Sequence, residues 1–165
     1  MRAGDVVGER VSLRAIREDD LAAIEEWFAD AARAAFEDRG LEELRSEATN
    51  QVSGVLVVER AREDEPIGLL EYVVSEGWLA VPFIALAKPY RGWGYGSEAA
   101  RLLEEWAAPE RLARRFRAEV DVRNGLGLYF WLRLGYRPER PGDDSWRWAR
   151  EPDRMRMVRS PTEQR

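Results

Sequence analysis

The chain has 165 residues, enough for one domain with a sizeable core, and its 45% hydrophobic and 35% charged residues fit a globular protein. A net charge of −5 argues against a general nucleic-acid binder, which needs a dense basic face to displace counterions. With no cysteine and no histidine there is no disulfide framework, thiolate nucleophile, imidazole base or Cys/His metal site, and we expect no metal.

The opening Met1-Arg2-Ala3-Gly4-Asp5 is followed by no apolar core of signal-peptide length, and no apolar run approaches the ~18 residues of a membrane span. The expectation is a cytoplasmic protein with no membrane partner, folded as one domain over residues 1–165. Its core spans about 8–158, and residues 160–165 form a flexible tail.

Val11 to Ile16 alternates as a first strand. Glu18, Asp19 and Asp20 suit the positive end of a helix, on which Leu21, Ile24, Trp27 and Phe28 recur at helical spacing. A second, weaker helix covers Leu41 to Ala48. A meander of three strands follows: Val52 to Arg60, Ile67 to Val74 and Trp78 to Ala87, with turns at Glu63–Pro66 and Glu76-Gly77. Pro82 removes a ladder donor from the third strand and predicts a bulge or unpaired edge there. Ser97 to Ala108 reads as a helix closed by Pro109, Phe116 to Val122 as a strand, and Leu126 to Leu134 as a helix stopped by Gly135. Tyr136 starts another extended piece, Pro141 to Asp144 is a turn, and Met155 to Val158 is a last strand. The order describes a mixed α/β domain.

One turn carries chemistry. Arg91-Gly92-Trp93-Gly94-Tyr95-Gly96 lies between a strand and a helix, where free N–H groups, the helix dipole and glycine's lack of a side chain together favour an anion. The spacing is not that of a Walker loop, since no lysine follows Gly96, nor that of a dinucleotide fingerprint. Taken alone, the string also reads as a merely tight connection.

The turn matches Gln/Arg-x-x-Gly-x-Gly/Ala, the cofactor motif of the GNAT acetyltransferase superfamily, which the chain resembles over roughly residues 8 to 158. Ile84 to Gly92 resembles that family's strand entering the turn, and Asn124, Tyr129 and Leu134-Gly135-Tyr136 resemble its later motif. Gly8 to Arg14 and Asp19-Asp20-Leu21 look like the start of such domains, particularly the ribosomal-protein N-terminal acetyltransferase branch. Proline stands one residue closer to Tyr90 than is usual. Gly125 and Gly127 replace good helix formers, which predicts a late or loose helix.

The resemblance implies an α/β (α+β) fold with a mostly antiparallel central sheet of six to seven strands flanked by about four helices. It implies acetyl transfer from acetyl-CoA to a primary amine by direct attack in a ternary complex. Gly92, Trp93, Gly94, Tyr95, Gly96 and Ser97 would bind pyrophosphate through backbone amides, and Arg91 would add a charged contact. Ile84, Ala85 and Leu86 would pair with the pantetheine arm, and the Leu86 N–H would steady the thioester oxyanion. Asn124 would face the arm, and Tyr129, near the sulfur, would protonate the leaving thiolate; its alternative is a packed ring with a hydrogen-bonded hydroxyl.

For the base, Glu71 sits mid-strand on the face of Leu69 and Val73, with Glu59 as second candidate; a solvated face or a salt bridge to an arginine is the competing reading of both. The acceptor would be a small amine or a protein N-terminus. Homodimers are common among resembling proteins. The alternative function is a non-catalytic acyl-CoA-binding or regulatory module. Among seven tryptophans, Trp27, Trp106 and Trp131 read as core; Trp27 or Phe28 could face the acceptor, and Trp78, Trp146 and Trp148 could line a pocket.

Overall fold

The structure is a computed structural model that describes residues 6–47, 53–110, 113–139 and 154–160. Chain order is β1 (Val6–Val7), β2 (Val11–Ala15), a 3-10 turn (Glu18–Asp20), α1 (Leu21–Ala34), α2 (Leu41–Glu47), β3 (Ser53–Arg60), β4 (Glu65–Ser75), β5 (Trp78–Leu86), a 3-10 turn (Lys88–Tyr90), α3 (Tyr95–Glu110), β6 (Arg115–Asp121), α4 (Gly125–Arg133), β7 (Arg137–Pro138) and β8 (Arg154–Arg159).

One sheet runs β1-β2-β3-β4-β5-β6-β8-β7. Every pairing is antiparallel except β5 with β6, which α3 joins as a crossover. The described strands number eight rather than six to seven, because two-residue strands at either edge are too short to leave a period in the sequence. Four α-helices are described, as expected.

Alternation sorts the strand residues onto two cores. Val11, Leu13, Leu56, Leu79 and Val81 pack with α3 and α4, whose Leu103, Trp106 and Trp131 are buried against them. Val57, Leu69, Phe83 and Ala85 pack instead with Ile24, Phe28 and Ala31 of α1 and Leu44 of α2. Glu76 and Gly77 turn the β4–β5 hairpin with φ of 52° and 82°, a two-residue geometry that follows the strand twist.

Pro82 produces the expected bulge. Glu71 pairs with Phe83 and Val73 with Ala80, so Val81 and Pro82 stand against the single residue Tyr72. Helix α3 starts two residues earlier than expected and runs past Pro109 to Glu110, because a proline near the end of a helix removes only one donor. Nor does α4 start late. The Asn124 side chain accepts from the Gly127 N–H at 2.9 Å, and a Cβ at Gly127 would lie 2.5 Å from Asn124 Nδ2, so the missing side chain makes room for the cap. At the other end Gly135, at φ 94°, reverses the chain. Tyr136 N–H then reaches Trp131 O at 3.0 Å, and the two rings meet 4.7 Å apart.

No helix among the described residues is long and apolar enough to cross a membrane. The expected turn at Pro141–Asp144, Trp146, Trp148 and most of the expected tail lie outside the described residues.

Candidate active site

The sheet opens along one seam. Strands β5 and β6 pair in parallel only from Trp78↔Arg115 to Val81↔Ala118. Beyond that point the Pro82 bulge turns β5 away, and the two strands splay into a fork. A cleft of about 830 Å³ occupies it. Ile84, Ala85 and Leu86 line one wall, Asn124, Leu126, Tyr129 and Phe130 of α4 the other, and Arg91, Gly92, Trp93, Gly94, Gly96 and Ser97 its mouth.

The β5 wall offers unpaired backbone. Ala87 N–H donates to Ile67 O across to β4 at 2.8 Å. By alternation the Ile84 and Leu86 N–H groups therefore point the other way, into the cleft.

The mouth presents unpaired amides at a helix N-terminus. Gly92 and Gly94 sit at φ 83° and 85°, where a side chain is strained. α3 makes its first intrahelical bond from Glu98 N–H to Gly94 O at 3.1 Å, which leaves the amides of Tyr95, Gly96 and Ser97 without helical partners. Arg10, from the β1–β2 turn, braces the loop from behind. Its Nη1 donates to Trp93 O at 2.9 Å, its Nε meets Glu98 at 3.2 Å, and its guanidinium covers the Tyr95 ring at 5.0 Å.

The structure thus brings together every residue expected to hold the cofactor except one side chain. Tyr95 does not line the cleft; its ring packs on Tyr90 at 6.2 Å, and only its amide belongs to the mouth. Arg91 lines the cleft, but its guanidinium is engaged: Nε donates to Leu86 O at 2.9 Å and Nη2 to Asp30 at 2.8 Å. Tyr129 is 59% exposed, with Arg133 over its ring at 5.7 Å, so its hydroxyl group is not a core packing element.

The expected bases are placed elsewhere. Glu71 is buried outside the cleft lining and forms a two-point ion pair with Arg39, at 2.8 and 3.0 Å. Arg39 also holds Glu37 at 2.6 Å and Glu47 at 2.7 Å. Burial opposes the Arg39 charge, but the bonds from Glu71, Glu37 and Glu47 outweigh it and raise its pKa. Glu59 is buried against Arg14, which forks onto Asp20 at 2.7 and 2.8 Å. Both carboxylates answer to the salt-bridge reading of the sequence.

Three other carboxylates line the cleft: Glu37, Glu119 and Asp121. Burial works against ionised Glu37, but hydrogen bonds from Arg39 bring its pKa below the usual range. Bonds from the Arg123 side chain and backbone hold Asp121 down at about 2. Glu119 is half-buried and makes no hydrogen bond or ion pair with any described residue. It lies in an alternating strand whose charged residues carried no signal beyond a solvated face. Its importance rests on the fork, a feature of pairing rather than of the local string.

The acceptor side differs from expectation as well. Phe28 is buried on Phe83, ring centres 6.4 Å apart, and neither it nor Trp27 reaches the cleft. Ala31, Ala34 and Ala35 form that wall. Trp106 and Trp131 are core residues, while Trp78 lies beneath Arg115 at 4.3 Å.

Comparison with known proteins agrees with this geometry. No curated protein is matched by the sequence. Among solved structures, an acetyltransferase from Agrobacterium tumefaciens is similar at TM-score 0.73 and 17% identity, over 96% of this chain and 95% of that one. The spermidine N-acetyltransferase from Vibrio cholerae, solved with CoA and spermine, is similar at TM-score 0.72 and 19% identity, over 94% of this chain and 98% of that one. These likenesses speak to the fold. The pattern of the acetyltransferase (GNAT) family itself matches residues 21–136, from the start of α1 to the end of the α4 stop, and so takes in both walls and the mouth of the cleft. The chain belongs to the acetyltransferase (GNAT) family.

Proposed function

We propose that this protein transfers an acetyl group from acetyl-CoA to a primary amine by direct attack in a ternary complex. The observation that carries the reading is the fork between β5 and β6, with a glycine-rich helix N-terminus at its mouth. Pyrophosphate suits the amides from Gly92 to Ser97. The pantetheine arm, which carries amide groups, suits the outward N–H groups of Ile84 and Leu86, as an added strand would. The Leu86 N–H, at the mouth end of that wall, meets the arm ahead of the thioester, so the oxyanion role that the resemblance implies for it does not fall to Leu86. Tyr129, exposed on the opposite wall, is the proton donor for the leaving thiolate. No cysteine exists to carry an acyl-enzyme.

The acceptor is a small amine or a protein N-terminus. The opening residues resemble the ribosomal-protein branch, and structural neighbours are assigned as a ribosomal-protein-serine acetyltransferase and a spermidine N-acetyltransferase, so a serine-initiated peptide and a polyamine are the first acceptors to try.

The alternative, a non-catalytic acyl-CoA-binding module, is favoured by one observation: arginines occupy both carboxylates that the sequence offered as bases. Multiple-turnover release of the coenzyme A thiol in the presence of an amine panel, with the acetylated amine identified by mass spectrometry, separates the two. Binding of acetyl-CoA without release leaves the module. Failure to bind acetyl-CoA overturns both.

A further inference from the structure

The closed end of the fork holds a carboxylate without a partner among the described residues. β6 alternates: Phe116, Ala118 and Val120 enter the core shared with α3 and α4, so Arg117, Glu119 and Asp121 face the side that carries α1. Val81↔Ala118 is the last pair before the strands part. Glu119 is the next residue and stands opposite Pro82, which has no N–H to give it. From Leu86 at the mouth to Pro82 is four residues of strand, or about 13 Å at ~3.3 Å each. An arm lying along β5 from the pyrophosphate loop therefore runs toward Glu119. The acetyl group it carries ends between Glu119 and the α1 side, from which an amine can enter.

The charges around this position are accounted for one by one. Asp121 on the same strand is held by Arg123 at 2.8 Å, and Glu37, after α1, by Arg39 and by Arg154 at 3.7 Å. Arg156, the cross-strand neighbour of Glu119 on β8, meets Glu139 at 3.7 Å. Arg117 is half-buried, and its loss of solvent together with Arg156 lowers its pKa, while Glu119 acts on it through space without an ion pair. Glu119 is thus the carboxylate lining the cleft that no described arginine pairs.

We propose that Glu119 is the general base of the transfer, an inference that rests on the acetyl-transfer reading above. The acceptor ammonium gives one proton to the Glu119 carboxylate. The freed nitrogen lone pair attacks the thioester carbon, forming the C–N bond and placing negative charge on the carbonyl oxygen. The C–S bond then breaks, and the sulfur leaves with the electron pair. Tyr129 gives the thiolate its proton and is reprotonated by the second proton shed from nitrogen. The products are the acetyl amide and the coenzyme A thiol, with one proton on Glu119 to be lost to water.

The test compares acceptors that need a base with one that does not. Spermine and a serine-initiated peptide are ammonium ions at neutral pH; hydroxylamine is already a free amine. With the full chain and acetyl-CoA, Glu119→Gln is expected to lower kcat/KM about 10²–10³-fold for the faster ammonium acceptor, and less than about threefold for hydroxylamine. In that variant kcat/KM rises with pH only as the amine itself deprotonates. Glu119→Asp keeps a carboxylate and recovers part of the rate. Acetyl-CoA affinity and thermal stability are expected to stay within about twofold and about 2 °C of wild type, as for a partly exposed residue without partners. Equal losses for both kinds of amine, or an undiminished rate with the ammonium acceptor, overturn the assignment. A wild-type protein that binds acetyl-CoA but acetylates none of the three amines overturns the transfer reading itself, and the base falls with it.

Discussion

Arg39→Ala isolates the structural role of the carboxylates that resemble catalytic ones. Arg39 lies in the connection between α1 and α2 and reaches Glu71 on β4, 32 residues away in sequence. The Glu71 and Glu37 side chains are 7% and 4% exposed, and Arg39 supplies two bonds to Glu71 and three to Glu37. Removing the guanidinium leaves a buried carboxylate on the sheet without a counter-charge. Such a loss costs about 3–5 kcal/mol, and the lower end applies here because Glu37 keeps Arg154 at 3.7 Å.

For a chain of this size about 3 kcal/mol lowers Tm by about 6–12 °C. Scanning calorimetry with wild-type, Arg39→Ala and the paired replacement Arg39→Met with Glu71→Leu is the assay. The pair, which removes both charges and keeps apolar volume, is expected to regain most of the lost stability. Glu71→Gln, which keeps a hydrogen-bond acceptor for Arg39, is expected to lose less stability than Arg39→Ala. It should also retain kcat within threefold wherever it is folded. A Tm shift below about 2 °C for Arg39→Ala, or a paired replacement less stable than the single one, would refute the reasoning.

Gly94→Ala forces a side chain onto φ 85° and sets its Cβ 3.0 Å from Arg10 Nη2; the strain is about 1–2 kcal/mol, and acetyl-CoA affinity measured by calorimetry should fall about tenfold. Tyr129→Phe is expected to lower kcat at least tenfold with little change in acetyl-CoA affinity, since an exposed hydroxyl adds little to folding; full turnover across pH removes Tyr129 from proton transfer. Acid should unfold the protein through Asp20, Glu37 and Asp121. The bond from Arg14 holds Asp20 low, and arginines act likewise on the other two, so each folded pKa lies below its unfolded value. Their contribution is complete above the unfolded values of 3.8 for Asp and 4.5 for Glu, and is lost as pH falls toward about 2. Chemical denaturation at successive pH values should show stability declining on that side; constant stability between pH 5 and 3 would count against these pairs.

The sequence by itself determined what depends on neighbours along the chain. Arg91 to Gly96 announced a glycine-rich turn between a strand and a helix N-terminus, and the turn is there, with Gly92 and Gly94 at positive φ. Pro82 announced a bulge or unpaired edge through the missing donor, and Gly135 marked the end of α4 through chemistry that acts within a turn. The same locality explains the misses. Gly127 looked like a flaw in a helix until the Asn124 side chain was seen folded over it.

Only the tertiary structure decided which charges are spent and which are free. Arg39 and Glu71 meet across 32 residues, and Arg10 reaches the loop carbonyl of Trp93 across 83, so nothing in either local string could announce them. Glu119 had the pattern of any solvated strand residue. It became the cleft carboxylate that no described arginine pairs because β5 bends away at Pro82 and opens a seam whose position depends on the pairing of two strands separated by a helix. Short-range chemistry is written in adjacent residues; the pairing of distant charges is fixed only when the sheet closes around them.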